Sequence, residues 1–282
     1  MTHLPPGRSA VVVAEAPPFT AHAPGVSEAD IAVPVTRRAR VATFARSSAL
    51  TAMLLLLLTG TYLAPRLIAL DRLVTVDEGY WLGRSANFYQ ALASGNLADT
   101  YQFAHPGVPT MWAGAIAYRI AFPDYAAENP RQLNYVLNVH TALRDLGRDP
   151  LTLLVTGRVV KLLMQAACLA LGFWLARPVF GTLTATVGTL LMALDPFLIG
   201  HDRLLHVDGL FATTAFVSLL ALLRARSVGE QMTVRFLALS GFFAALAWLT
   251  RTPGFVLVPI TGTVLLTTGW QRWRAGAPAL AV

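Results

Sequence analysis

Two adjacent carboxylates form the stretch of this chain best suited to chemistry. Asp77 and Glu78 stand in the run VTVDEGYW, shortly after a long apolar segment and directly before the aromatic residues Tyr80 and Trp81. A carboxylate held at a membrane surface can act as a general base and take the proton of a hydroxyl group. The same pair can instead begin a surface helix, because acidic residues favour helix N-termini. The spacing alone leaves both interpretations open.

The composition sets the class of protein in which this pair must work. The chain has 282 residues, of which 55% are hydrophobic and 13% charged, and its mean hydropathy is +0.55. Soluble domains carry about a quarter charged residues, so we predict an all-α, polytopic integral membrane protein. The net charge of +7 is attributed to topology-setting arginines and to phosphate binding. A clustered basic face of the kind that binds nucleic acid is absent from the sequence.

Six apolar segments are predicted to cross the membrane, preceded by a disordered basic tail over residues 1–47. The arginines at the end of this tail place the N-terminus in the cytoplasm, so Asp77 and Glu78 are expected on the extracytoplasmic face. The long loop over 71–150 is predicted to carry interfacial helices. The predicted membrane domain is 48–282, and its spans lie near residues 48–70, 151–176, 182–199, 207–223, 236–249 and 254–270.

The predicted membrane topology does not explain the positions of three arginines. Arg158 stands inside the second predicted span, and charges there usually face protein, water or a ligand. Arg203 and Arg251 lie on the outer side, although positive charges normally concentrate on the inner side. A guanidinium group pairs well with phosphate, so all three are candidate phosphate-binding residues. Anchoring at the membrane interface is the alternative.

A second polar cluster lies in the junction HDRLLHVD, which contributes Asp202, His206 and Asp208. If a helix begins near Asp202, the spacing of four residues places Asp202 and His206 on one face. Such residues suit a substrate pocket or a network of capping and ion-pair contacts. A divalent metal site is a further alternative, although the spacing matches no strong ligand template. His105, in the turn-rich run FAHPGVP, is expected on the same side.

Taken in order, five motifs resemble the C-type integral-membrane glycosyltransferases, specifically the protein O-mannosyltransferase and aminoarabinose-transferase-like group. The resemblance covers residues 48–270. It implies a polyprenyl-monophosphate sugar as donor and an inverting displacement at the anomeric carbon of that sugar. The acceptor would be a protein, a lipid or a glycan on the outer face of the cell membrane. The motifs are VDEGYW, FAHPGVPTMW, GRVVKLL, HDRLLHVDGLF and LTRTPGF.

The resemblance also implies roles for individual residues. Asp77 would deprotonate the acceptor hydroxyl, and Glu78 would help to organise the site and the acceptor. Arg158 would contact the donor phosphate, as would Arg251, where many relatives have lysine. One base and a stabilised leaving phosphate are chemically sufficient for such a transfer.

Other implied features concern the donor pocket and the length of the chain. His206 and Asp208 would line the donor pocket. His105 is a further candidate for the donor or acceptor pocket, although it stands where relatives often have a Pro-Pro pair, which leaves its role open. No cofactor is implied, and the expected partners are the lipid-linked donor, the acceptor and membrane lipids, not nucleic acid. Family members are usually longer, which predicts a fragment, a truncated product or a minimal form.

Two other functions are consistent with the same membrane architecture. A non-catalytic relative that binds a polyprenyl lipid would use the same residues as an enzyme. A small transporter is disfavoured, because transporters place polar residues near the membrane midplane and the charges here lie at predicted outer ends.

Overall fold

The computed structural model describes the backbone of residues 37–103, 106–228 and 230–276, and the side chains of 48–103, 106–228 and 233–267. Residues 49–282 form one compact unit, and the preceding residues form another, of which the start of α1 is described. Most of the predicted disordered tail therefore lies outside the described residues. Its last part is helical, because α1 begins at Arg37, before the predicted start of the first span.

The described ranges contain helices and no β-strands, which confirms the predicted all-α class. Short 3-10 helices span Leu97–Thr100, Val136–Asn138 and Thr252–Val256. The α-helices, numbered α1 to α11, are Arg37–Leu67, Val76–Ser94, Val108–Ala121, Tyr125–Glu128, Val139–Asp145, Pro150–Phe180, Thr182–Leu194, Pro196–Asp202, Val207–Arg226, Glu230–Thr250 and Leu257–Gly276.

Four of these helices contain segments that are long and apolar enough to cross a membrane. The segments are Ser48–Leu67, Pro150–Phe180, Val207–Arg226 and Thr233–Thr250. Helices α7 and α8 pass the same test only as a pair bent by 61°, which is the geometry of a broken span or of a re-entrant loop. The chain is thus a multi-pass membrane protein. The described part of the last predicted span is a shorter apolar helical segment, Thr252–Thr267.

The bend between α7 and α8 has a local cause in the sequence. Pro196 cannot continue a helix from the preceding turn, and it forces the residue before it into an extended conformation. Asp195 adopts that conformation, with φ −63° and ψ 121°, and its side chain accepts a hydrogen bond of 2.8 Å from the backbone N–H of Leu198. The predicted third span is therefore not a single straight helix.

Residues 68–149 carry α2 to α5, which we call the cap. Helix α2 is its central element. This helix begins with a capping box and ends at Gly95, whose backbone lies in the left-handed region with φ 74°. The cap core is continuous with the membrane helices: Leu82 and Tyr118 belong to the same buried cluster as Leu153 of α6 and Val207 of α9. The cap is therefore fixed against the ends of α6 and α9, where the candidate residues lie.

Candidate functional site

The two adjacent carboxylates of α2 have opposite surroundings. Glu78 is completely buried, whereas the side chain of Asp77 is 68% exposed. Consecutive residues of an α-helix point about 100° apart, so a helix packed on one side separates neighbours in this way. Asp77 is the carboxylate that a substrate can reach.

Glu78 forms a bidentate ion pair with Arg158 of α6. Arg158 Nε donates to Glu78 Oε1 at 2.7 Å, and Nη2 donates to Oε2 at 2.6 Å. The guanidinium group also donates to the backbone carbonyls of Leu70 and Leu73. All three of its nitrogens are therefore bonded to protein. The predicted phosphate contact of Arg158 does not fit this placement, because the group ties the cap to α6.

Glu78 also joins the cap to the turn before α9. Its carboxylate accepts a 2.9 Å hydrogen bond from the backbone N–H of Thr75 and a 2.7 Å bond from that of Leu205. Burial by itself raises the pKa of Glu78, but the hydrogen bonds from Arg158, Thr75 and Leu205 outweigh it and lower the pKa below its ordinary value. Glu78 is thus a charged structural anchor.

Asp77 begins a chain of ionisable groups that runs across three elements. His206 Nε2 lies 3.5 Å from Asp77 Oδ2, and His206 Nδ1 lies 3.2 Å from Asp208 Oδ2. Asp208 in turn pairs with the guanidinium group of Arg251. The imidazole lies edge-on to Trp81, with 6.4 Å between ring centroids. The structure therefore brings together four of the residues that the sequence singled out.

The local backbone explains how these four side chains meet. His206 is the extended N-cap residue of α9, and Asp208 lies in the first turn of that helix. Arg251 is the extended residue between α10 and the 3-10 helix that follows it. Asp77 lies in the first turn of α2. Each residue thus stands at an element terminus, where side chains from different helices can converge.

This arrangement is suited to handling a proton. A neutral imidazole has one N–H, whereas both ring nitrogens of His206 face carboxylates. Both contacts are favourable only when a further proton resides on the imidazole or on one of the carboxylates. The Asp77–His206–Asp208 chain can therefore hold a proton beside the exposed carboxylate.

The side chain of Arg203 lies at the end of α1. Its Nη2 donates to the backbone carbonyls of Ile68 and Ala69, which follow the end of α1. The last carbonyls of a helix lack intrahelical partners, and basic side chains commonly supply them. The Arg203 side chain therefore caps α1 through one of its terminal nitrogens, and its predicted phosphate contact stays a prediction.

Asp202 is likewise withdrawn from any open pocket. Its buried carboxylate accepts bonds from Arg66 Nε at 2.9 Å, Tyr62 Oη at 2.9 Å and Gln165 Nε2 at 2.8 Å. Lys161 Nζ donates to the Asp202 backbone carbonyl at 2.9 Å. The predicted pocket role of Asp202 does not fit, because this network joins α1, α6 and α8. Arg66 was not singled out from the sequence, although a charge at the end of an apolar span was the available signal.

His105 lies outside the described residues, but the loop that follows it reaches the site. Gly107 has φ 58°, and a Cβ atom at this position would lie 2.0 Å from the Trp81 ring. Its backbone N–H donates to the carbonyl of Thr250, at 3.2 Å. The loop therefore packs directly on Trp81 and is tied to the end of α10. Glycine is required here both for the left-handed backbone and for the close approach.

We expect Gly107→Ala to lower the free energy of unfolding by about 2 kcal/mol or more. The substitution combines a left-handed alanine with overpacking against an indole ring. Thermal unfolding in detergent, compared with Gly60→Ala, measures the effect. A Cβ at Gly60 would meet nothing within 4 Å, so an equal loss of stability in both variants contradicts the interpretation.

The described residues contain no group of three or more histidine, cysteine or acidic side chains arranged to hold a metal ion. Cys168, in α6, is a free thiol. The described site offers carboxylates, an imidazole and guanidinium groups.

The fold and the charged site together define a helical multi-pass membrane protein with an exposed carboxylate at the ends of its spans. Residues 151–282 match the family described as dolichyl-phosphate-mannose-protein mannosyltransferase. This match confirms the resemblance to C-type membrane glycosyltransferases, and it supports a glycosyltransferase of the polyprenyl-phosphate-sugar type. The matched segment includes His206, Asp208 and Arg251 and begins after Asp77. Comparisons with curated proteins and with solved structures gave no match.

Proposed function

We propose that the protein transfers a sugar from a polyprenyl-phosphate donor to an acceptor hydroxyl, on the extracytoplasmic face of the cell membrane, with Asp77 as the base. The observation that carries this proposal is the exposed Asp77 carboxylate held beside His206, which lies in the segment matching the mannosyltransferase family. A base must be accessible to the proton that it takes. Asp77 meets this requirement and buried Glu78 does not.

The proposed reaction is a single displacement. The acceptor oxygen attacks the anomeric carbon of the sugar while the bond from that carbon to the donor phosphate oxygen breaks. Asp77 takes the proton of the acceptor hydroxyl, and the polyprenyl phosphate leaves with the bonding electrons. Inversion at the anomeric carbon follows from attack on the face opposite the leaving group.

Stabilisation of the leaving phosphate is the other requirement of this reaction. Arg251 is 42% exposed and pairs with Asp208 through one of its terminal nitrogens. Its other donors are therefore available to an incoming anion. Glu78 and Arg158 act as positioning residues, because their ion pair fixes the turn from which His206 emerges.

His206 is proposed to orient Asp77 and to receive its proton after transfer. We expect His206→Ala to lower kcat about 10- to 100-fold with a smaller change in KM, because the effect is on proton handling and not on donor binding. Steady-state kinetics over a range of pH measure this. His201→Ala is the matched control, since the His201 ring packs against that of Phe197, with 4.1 Å between ring centroids, and contacts neither carboxylate. Wild-type kcat and an unchanged pH profile in His206→Ala contradict this role.

The proposed function is tested with the purified chain in a bilayer that contains polyprenyl-phosphate mannose and a serine- or threonine-containing peptide. Transfer of mannose to the peptide supports the proposal. Binding of the lipid without transfer to peptide, lipid or glycan acceptors refutes it and favours a non-catalytic lipid-binding relative.

A further inference from the structure

One face of α2 is left open beside the candidate base. Between Glu78 and Phe88, every residue of this helix is buried except Tyr80 and Arg84. Asp77, Tyr80 and Arg84 are spaced three and four residues apart, so they form one stripe along the helix. The stripe thus presents a carboxylate and a guanidinium group to the same space.

Arg84 lies among aromatic rings. Its guanidinium carbon is 4.8 Å from the centroid of Trp81, 5.1 Å from that of Phe103 and 6.0 Å from that of Tyr80. These contacts stabilise a cation, but they do not satisfy the five N–H donors of arginine. Within the described part of the chain, Arg84 has neither a hydrogen-bond acceptor nor a salt-bridge partner. Its donors are available to a ligand.

The electrostatic surroundings of Arg84 also favour an anion. Partial burial lowers the pKa of Arg84, and the nearby Tyr80 and Asp77 offset this only in part. The group stays protonated because arginine titrates far above neutral pH. A partly desolvated cation without a salt bridge gains more from an anionic ligand than a fully solvated one does.

The spacing along α2 suits the reacting groups. Seven residues separate Asp77 from Arg84, which is about 10.5 Å along the helix axis. Helical side chains lean towards the N-terminus, so the guanidinium group is directed back towards Asp77. The stripe therefore carries a base at one end and a cation at the other. In a displacement, the base and the leaving phosphate occupy these two ends.

We propose that Arg84 binds the phosphate group of the lipid-linked donor, with Tyr80, Trp81 and Phe103 holding its guanidinium group in place. This inference rests on the proposed function. Of the arginines that the sequence favoured for this role, Arg158 has all three nitrogens bonded to protein groups, Arg203 caps α1, and Arg251 pairs with Asp208 through one terminal nitrogen. Arg84 and Arg251 are then the guanidinium groups that approach the donor from the cap and from the α10 end.

The test measures binding of polyprenyl monophosphate, which carries no sugar, to the full chain in phosphatidylcholine nanodiscs. We expect Arg84→Gln to weaken binding about tenfold or more, because it removes a charge-assisted contact. Arg84→Lys keeps the charge but loses the planar fork, so it should fall in between. Arg148→Gln is the matched control, since Arg148 also stacks on an aromatic ring, 4.3 Å from the centroid of Phe122, but outside the site. Competition by inorganic phosphate distinguishes recognition of the phosphate alone from recognition that needs the lipid.

Wild-type affinity in Arg84→Gln overturns the proposal, as does an equal loss of affinity in Arg148→Gln. If Arg84→Gln does not fold, the comparison of Arg84→Lys with wild type decides, and unchanged affinity in that variant overturns the proposal. Failure of the proposed function is distinguishable, because binding of the sugar-free lipid does not require transfer. Arg84-dependent binding without any sugar transfer would retain the phosphate site and refute the enzyme. Sugar transfer together with lipid binding that does not depend on Arg84 would support the enzyme and overturn the phosphate site.

Discussion

Replacing Asp77 with asparagine should lower kcat for sugar transfer about 10²- to 10⁴-fold, the range that a general base contributes. The amide has nearly the same shape as the carboxylate, but it cannot take the proton of the acceptor hydroxyl. Because Asp77 is largely exposed, the free energy of unfolding should change by no more than about 0.5 kcal/mol. Transfer from polyprenyl-phosphate mannose and binding of the same lipid are measured together. We expect activity to fall while lipid binding is retained.

Asp71→Asn is the control for this experiment, since Asp71 is an exposed acid on the segment that precedes α2. It should transfer sugar at the wild-type rate. Full activity in Asp77→Asn would show that Asp77 is not the base. Equal losses of transfer activity in both variants would show a general effect of charge.

Breaking the buried ion pair between the cap and α6 should have the largest effect on stability. Arg158→Met leaves the Glu78 carboxylate buried without its ionic partner, and such changes cost about 3–5 kcal/mol. The loss of free energy of unfolding is measured by denaturation in detergent. The double variant Glu78→Gln with Arg158→Met should recover only part of it, because the Glu78 carboxylate also accepts backbone N–H groups of Thr75 and Leu205. A stability unchanged from wild type in Arg158→Met contradicts the anchoring role.

The same pair gives the wild-type protein a defined dependence on pH. The pKa of Glu78 is lowered in the folded state, so its stabilising effect is complete above the pKa of the unfolded chain. It is lost as the pH falls through the lower, folded pKa. Acid unfolding of Glu78→Gln should lack this component. Glu128→Gln, at an exposed position of α4, should retain it.

Much of the fold follows from the apolar runs, because a helix is the structure that satisfies every backbone group within a membrane. The positions of four spans were predicted in this way. The bend at Pro196 was not, since the sequence of this segment was interpreted as one span ending near Ile199. A proline inside a long apolar run was the available signal.

Four of the candidate residues lie together in the structure, while their roles stay predictions. Asp77, His206, Asp208 and Arg251 were each singled out, and they converge. The sequence could not show which of two adjacent carboxylates is buried, because that depends on a backbone N–H 127 residues away, at Leu205. A charge inside a span indicates that the side chain has a partner, but it does not show which partner. For this reason Arg158 was predicted to bind a phosphate. Arg84 gave no such signal, because an arginine on a polar loop helix is ordinary.

The proposed displacement makes a definite prediction for the anomeric configuration of the product. A single displacement with Asp77 as base inverts the anomeric centre, whereas a covalent sugar–enzyme intermediate retains it. NMR of the glycosylated peptide, made by the wild-type chain from a donor of known configuration, distinguishes the two. We predict the inverted linkage. A product with retained configuration, or no product from a chain that binds the donor, contradicts the account.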